Sequence, residues 1–352
     1  MTKPGSRFEV LQAYRGLAAG ALVFDHLYGQ SQAHMGADLV PGVCRFGHLG
    51  VDFFFVLSGF IIQHVHGADA GRPERGGDYL WRRVTRIWPL LALLTTLKLV
   101  YMLAWGAGVR GEKFELGAIV ASYLCLPQPG WPVLDVAWTL QHEALFYVLF
   151  LVPILLGRGA WRALWLVWLV LIGVALARAS PPSFPVSFLV SPLNAEFLFG
   201  VAACVVCQRL SLDVRRASAL LALGLAASVL GFWLYTNART SEEKSVRLVL
   251  ACGLTLVLVG SVVLERAGRL RPPRVLRELG DASYSLYLWH GFVVGGALAF
   301  WARLPAAFRE WPRVFLVGVA LVAFATSIAL YRLVEKPAME RFRRLRPRAS
   351  GA

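Results

Sequence analysis

Apolar runs of about 20 residues, the length an α-helix needs to cross the hydrocarbon core of a bilayer, recur along the whole chain. They fall at 9–28, 48–66, 87–105, 138–156, 161–179, 188–208, 217–236, 247–264, 284–302 and 314–333, separated by short polar connections. The pattern predicts an all-α, polytopic integral membrane protein with ten transmembrane helices. One more apolar stretch, 114–126, is too short to cross and runs into Pro127, Pro129, Gly130 and Pro132. It predicts a re-entrant or interfacial helix. No internal repeat is visible and no connection is long enough for a soluble domain. Residues 1–352 therefore read as a single membrane domain with tails at 1–8 and 336–352.

Composition strengthens this picture. Of 352 residues, 57% are hydrophobic and 16% charged, against about 25% charged in soluble domains. The net charge of +15 would suggest nucleic acid in a soluble domain, but here it fits basic loops against anionic lipid, and no nucleic-acid partner is expected. With the N-terminus placed inside, the inner loops hold more than twice as many Lys and Arg as the outer ones, which predicts both termini in the cytoplasm. Arg247 counts among the outer-loop bases in that tally. Five cysteines, an odd number, imply no disulfide framework. The Cys204-Val205-Val206-Cys207 motif lies within an apolar run with no second pair, and reads as buried small residues. A cleavable leader is not expected, since its removal would discard the unusual charges of the first span.

Those charges are the informative part. An ionisable group in hydrocarbon costs about 2.5–3.5 kcal/mol even on lenient insertion scales, yet the first span carries Arg15, Asp25 and His26. Arg15 and His26 are eleven positions apart, close to three turns, so they share a face roughly 16 Å apart along the axis. In the second span, Asp52 is expected at the depth of His26 and Ser58 deeper. Arg83 and Arg86 share a helix face at the depth of Arg15, and a cluster of guanidiniums there suits a polyphosphorylated ligand. Glu143 lies near one face with Trp138 and Tyr147, and His26 is its expected partner. Asn194, Glu196 and His290 are further polar intrusions, read equally as helix glue or site. His64 and His66 form an HxH pair with no third ligand nearby, so no metal is expected.

The residues resemble a family, the membrane-integral acyltransferases of acyltransferase family 3, which O-acylate carbohydrates. The resemblance rests on Leu11-Gln12-Ala13-Tyr14-Arg15-Gly16-Leu17 with His26 closing an Arg-x10-His pattern, on the run Gly50-Val51-Asp52 to Ser58-Gly59-Phe60, and on Arg83 and Arg86 before Ile87-Trp88-Pro89. It continues through Trp138-Thr139-Leu140, Glu143 and Phe146-Tyr147, the Ser283 to His290 run, and Glu335-Lys336-Pro337. The Trp-Thr-Leu to Phe-Tyr block and the Glu196 to Gly200 run are most similar to the branch that acetylates bacterial exopolysaccharide. Tyr14 stands where the family often has Leu, and Asp25 where it often has a hydrophobe or Tyr.

The resemblance implies transfer of an acyl group, acetyl foremost, from cytoplasmic acetyl-CoA to a glycan hydroxyl, by a multi-pass protein of the bacterial inner membrane. It implies catalytic roles for His26, Glu143 and Asp52. Donor binding would fall to Arg15, Arg83 and Arg86 with Tyr14 and Ser58, and acceptor binding to Asp25, Trp138, Tyr147, Asn194, Glu196 and His290. His26 could act as general base, held in its tautomer by Glu143 or Asp52, or be acylated first. A periplasmic esterase-like domain, which some relatives carry, is not expected, so both half-reactions are expected within the membrane domain. The expected partners are the glycan acceptor, membrane lipid and a second copy of the chain. A transporter or flippase of a lipid-linked anionic sugar is the rival reading, with intramembrane Arg, His and Glu as a proton relay; a structural scaffold is a third.

Overall fold

The computed structural model describes residues 8–104, 115–178, 180, 182–238 and 243–345. The outer parts of both expected tails, 1–7 and 346–352, lie outside the described residues, as do Arg110 and Lys113 of one outer loop. The described chain is helical, with no strand. In order it forms α1 Glu9–Met35, α2 Gly50–His66, α3 Gly76–Ala104, α4 Leu116–Leu124, α5 Trp138–Leu156, α6 Arg158–Leu176, α7 Val186–Leu189 and α8 Leu193–Arg209. Then follow α9 Val214–Asn237, α10 Glu243–Arg266, α11 Arg274–Asp281, α12 Ser283–Ala299, α13 Ala306–Arg309, α14 Pro312–Leu330 and α15 Lys336–Arg344.

Among the described residues nine helical stretches are long and apolar enough to cross a bilayer, which makes the chain a polytopic membrane protein. The tenth long helix, α1, spans 27 residues; Gln12, Arg15, Asp25 and His26 dilute its apolar character. It ends at Gly36, whose left-handed backbone (φ 67°) returns its N–H to the Gln32 carbonyl, the usual glycine C-cap. The expected short segment is the nine-residue α4, about 13 Å long and unable to span.

Three differences from the sequence-based expectations bear on the site. First, α3 begins at Gly76 rather than at 87, so the helix that carries Arg83 and Arg86 on one face extends about three turns ahead of the apolar run. Second, the span expected at 188–208 is broken: α7 ends at Leu189, Pro192 caps α8, and α8 then runs to Arg209. Third, the connection after α1 does not stay at the membrane edge. Its 3-10 helix, Gly42–Leu49, folds back along α1, with Gly47 against the Ala21 carbonyl and Gly50 against the Ala18 carbonyl. Helix α2 therefore starts level with Ala18, eight residues and roughly 12 Å from His26.

Glycines set the closest helix contacts. Gly59 of α2 and Gly200 of α8 each lie so near the other helix that a Cβ would overlap a backbone carbonyl, of Phe197 and Val56 respectively. Gly224 and Gly231 of α9 face Gly253 and Leu250 of α10, while Gly260 meets Ala217. The seven-residue spacing keeps these glycines on one seam, where helices approach without side chains between them. The α9–α10 pair also holds the folded-back connection: Phe232 packs on Phe46 with ring centroids 5.1 Å apart, and Tyr235 hydrogen-bonds His48.

Candidate active site

Helices α1, α2, α3, α5 and α12 enclose a cavity of about 540 Å³, with α15 at its mouth. Its basic end gathers Arg15, Arg82, Arg83, Arg86 and Arg343. Arg86 pairs with Glu335, which also accepts a 2.6 Å hydrogen bond from Ser285 Oγ. Its guanidinium also lies 5.1 Å from the centre of the Tyr284 ring. Arg82 bonds Asp78 on its own helix at 3.2 Å. Arg83 lies over the Tyr147 ring, and its Nε is buried with no acceptor among the described residues. Arg15 sits within electrostatic reach of Arg86, Glu143 and Glu335. This end therefore carries an excess of positive charge in a half-enclosed space, where a multiply charged anion is held most strongly.

Glu143 lies in the same cavity, not beside His26. Its carboxylate accepts hydrogen bonds from Ser58 Oγ at 2.9 Å and Tyr147 OH at 2.5 Å. The reason is the depth of α2: starting low, it brings Ser58 rather than Asp52 opposite Glu143. Of the expected donor-site residues, Arg15, Arg83, Arg86 and Ser58 converge here. Tyr14 does not, since it follows α1 round to α10, where its hydroxyl shares a 2.5 Å hydrogen bond with Ser261 and its ring packs on Phe53.

The other end of the cavity is lined by Val51, Phe54, Thr139 and Tyr287. Thr139 and Tyr287 share a 2.6 Å hydrogen bond, and Tyr287 OH donates to the Val136 carbonyl. Next along α12 stands His290, fully buried, whose ring meets that of His26 edge-on with centroids 4.7 Å apart. His290 Nδ1 is 2.9 Å from the Leu286 carbonyl. A carbonyl only accepts, so Nδ1 carries the proton and Nε2 is an acceptor, left without a partner among the described residues. Helix α1 thus does present Arg15 to one end of the cavity and His26 to the vicinity of the other.

Several expected neighbours are engaged elsewhere. Asp52 is fully buried and bonds Arg247 through both oxygens, each at 2.8 Å, so it does not serve His26. Arg247 is accordingly no loop residue but part of α10, and the buried Glu196 interacts with this pair. Asn194 spends its amide on the Phe188 and Leu189 carbonyls and its oxygen on His142 Nδ1, at 2.8 Å; it ties the α7–α8 bend. Asp25 bonds His48 Nδ1 at 3.1 Å, and His48 Nε2 reaches Tyr235 OH at 3.0 Å. The Trp138 ring lies against His142 and Trp131 rather than in the cavity.

Sequence reasoning missed the counter-ions. Glu335 was visible only as part of the Glu335-Lys336-Pro337 motif, although an acid opening a strongly basic tail is itself a signal. Arg247 heads an apolar run, where a cation needs a buried partner. Arg343 could not be assigned, because its place depends on the π-helical stretch Tyr331–Glu335 that joins α14 to α15 and on the packing of α15 against α3, where Trp81 Nε1 donates to the Phe342 carbonyl.

Comparison with known proteins gives a consistent result. The model of the family described as "Acyltransferase domain" matches residues 9–332. The exopolysaccharide production protein ExoZ of Rhizobium meliloti (strain 1021) is 28% identical over 84% of this chain and 91% of its own length. BcsY of Komagataeibacter xylinus, whose name describes a membrane-bound transacylase, is 25% identical over 96% of this chain and 84% of its own. The peptidoglycan O-acetyltransferase OatA of Listeria monocytogenes is 24% identical over 69% of this chain, which corresponds to 44% of OatA. No solved structure matches.

Proposed function

The chain belongs to this family of acyltransferases, and on that premise we propose that it moves an acetyl group from acetyl-CoA to a hydroxyl of a bacterial exopolysaccharide or its lipid-linked precursor. One observation carries the reading: the cavity that gathers the guanidiniums is also lined by Tyr287, whose ring centroid lies 6.4 Å from that of His290, the partner of His26. The arginine end faces the cytoplasm, where the donor is made. Arg15, Arg83 and Arg86, with Arg343 at the mouth, take the phosphates of coenzyme A, since guanidiniums match phosphate oxygens in charge and geometry. The unpartnered Nε of Arg83 provides a free donor there. The pantetheine arm runs past Ser58 and Tyr147 and carries the thioester along the roughly 16 Å that separate Arg15 from His26 on α1.

At that end neutral His26 takes the proton of the sugar hydroxyl as its oxygen attacks the thioester carbonyl carbon. The carbon–sulfur bond breaks, coenzyme A leaves as a thiolate, and the imidazolium returns the proton to sulfur. His290, held as the Nδ1–H tautomer by Leu286, turns its Nε2 lone pair to this space and positions the N–H of His26 or the incoming hydroxyl. Glu143 keeps Ser58 and Tyr147 in place along the acyl path. ExoZ, by its name, belongs to exopolysaccharide production, which favours that acceptor class.

The test uses purified protein in detergent with radiolabelled acetyl-CoA and candidate glycans. Label on sugar is expected, and His26→Ala should slow its appearance by a factor on the order of 10²–10⁴. Transfer by that variant at the parent rate removes His26 from the chemistry. Movement of a lipid-linked sugar across vesicles with no label on it would instead assign the protein to transport.

A further inference from the structure

We propose that a second recess, at the junction of α2, α6 and α8, binds the headgroup of an anionic phospholipid of the phosphatidylglycerol type. The recess measures about 640 Å³ and shares no lining residue with the candidate active site. Its walls include Gln63, Arg158, Trp161, Arg162, Gln208 and Arg209, and no Asp or Glu lines it. Arg158 and Arg162 are four apart on α6 and so lie side by side; Arg209 comes from the last turn of α8.

The charge arrangement asks for an anion. Helix α6 starts at Arg158, so two guanidiniums crowd a helix N-terminus, the end where the backbone dipole favours negative charge and opposes positive. The first-turn N–H groups there also lack intrahelical acceptors. Topology alone explains basic residues on this face of the membrane. It does not explain their convergence from two helices on a concave, acid-free space. Gln63, 7% exposed, adds a more specific requirement: its Oε1 has no donor among the described residues, and a headgroup hydroxyl would supply one.

The surroundings favour a lipid over a free phosphate. Beyond its basic first turns, α6 exposes Leu166, Leu169 and Leu176, which lie four, seven and fourteen positions after Arg162 and so continue the face that carries Arg158 and Arg162. A phosphate seated on Arg158, Arg162 and Arg209 leaves its acyl chains to lie along that stripe, in the order in which a phospholipid carries them.

Binding is read without acyl transfer, so the proposal stands or falls independently of the function above. Native mass spectrometry of the full chain in detergent, titrated with phosphatidylglycerol and phosphatidylcholine, measures it, with melting temperature as a second readout. Phosphatidylglycerol should bind about tenfold more tightly than phosphatidylcholine and raise the melting temperature. The triple variant R158Q/R162Q/R209Q should lose that preference, while R215Q/R269Q/R271Q, which removes as many charges from the same face, should keep it. If the triple variant does not fold, the three single variants carry the test, each expected to weaken binding several-fold. A preference that survives R158Q/R162Q/R209Q, or is lost equally in the control, overturns the proposal. So does displacement of the lipid by an equal concentration of glycerol 3-phosphate, which would assign the recess to a soluble phosphate.

Discussion

Arg86 and Asp52 illustrate two ways of keeping a charge inside this membrane protein. Arg86 is 23% exposed and leans on Glu335, whose own charge is steadied by Ser285. One face of the guanidinium stays open to the cavity. Replacing Glu335 with Gln keeps the shape and removes the counter-charge, so Arg86 should lose its fixed direction. The expected outcome is a rise in the KM for acetyl-CoA of about tenfold, or 1.4 kcal/mol, with kcat little changed; an unaltered KM would mean that Arg86 needs no partner to bind donor. Asp52 and Arg247 are closed off instead, with side chains 0% and 15% exposed and two hydrogen bonds between them. Breaking a buried pair by removing one partner costs about 3–5 kcal/mol, because the other charge stays buried alone. Arg247→Met should therefore lower the melting temperature in detergent sharply, and Asp52→Asn added to it should recover much of the loss. If the double variant is no more stable than Arg247→Met, the pair is not the source of the effect.

At the scale of elements, the return of the chain along α1 decides which side chains meet. Because α2 begins level with Ala18, Ser58 reaches Glu143 and Asp52 reaches α10. The Gly59–Gly200 contact then fixes how close α2 and α8 lie. A Cβ at Gly59 would overlap the Phe197 carbonyl, and such overpacking costs about 1–3 kcal/mol. Gly59→Ala should thus lower the melting temperature and, by tilting α2, weaken the Ser58–Glu143 hydrogen bond and slow transfer; full activity at unchanged stability would show that the helices part freely. The helices themselves were legible in the sequence, because a bilayer demands long apolar runs and little else does. So was the convergence of Arg15, Arg83 and Arg86, since spacing along a helix fixes the face. The partners of His26, Asp52 and Glu143 were not legible. The ends of apolar runs are the only measure of depth that a sequence offers, and a connection folded inside the membrane edge shifts one helix by two turns without altering its hydropathy.

At the scale of the whole molecule, the proposed function gives the two ends of the cavity different ligands, donor and acceptor, and they should then fail separately. Arg83→Gln with Arg86→Gln removes charged hydrogen bonds worth about 1.5–3 kcal/mol each. Acetyl-CoA binding should fall by at least tenfold while glycan binding, measured by isothermal titration, stays near the parent value. Equal losses for both would assign the two arginines to architecture. The Arg86–Glu335 pair has a further consequence for how the protein is made. Its members lie 249 residues apart, so the ribosome threads Arg86 into the membrane long before its counter-ion exists. Until the π-helical stretch after α14 emerges, the insertion machinery holds a helix whose charge is unanswered, and that helix has reason to stay near the protein-conducting channel or the water beside it. Final seating of α3 becomes a step that waits for the chain beyond α14, long after α3 itself has left the ribosome.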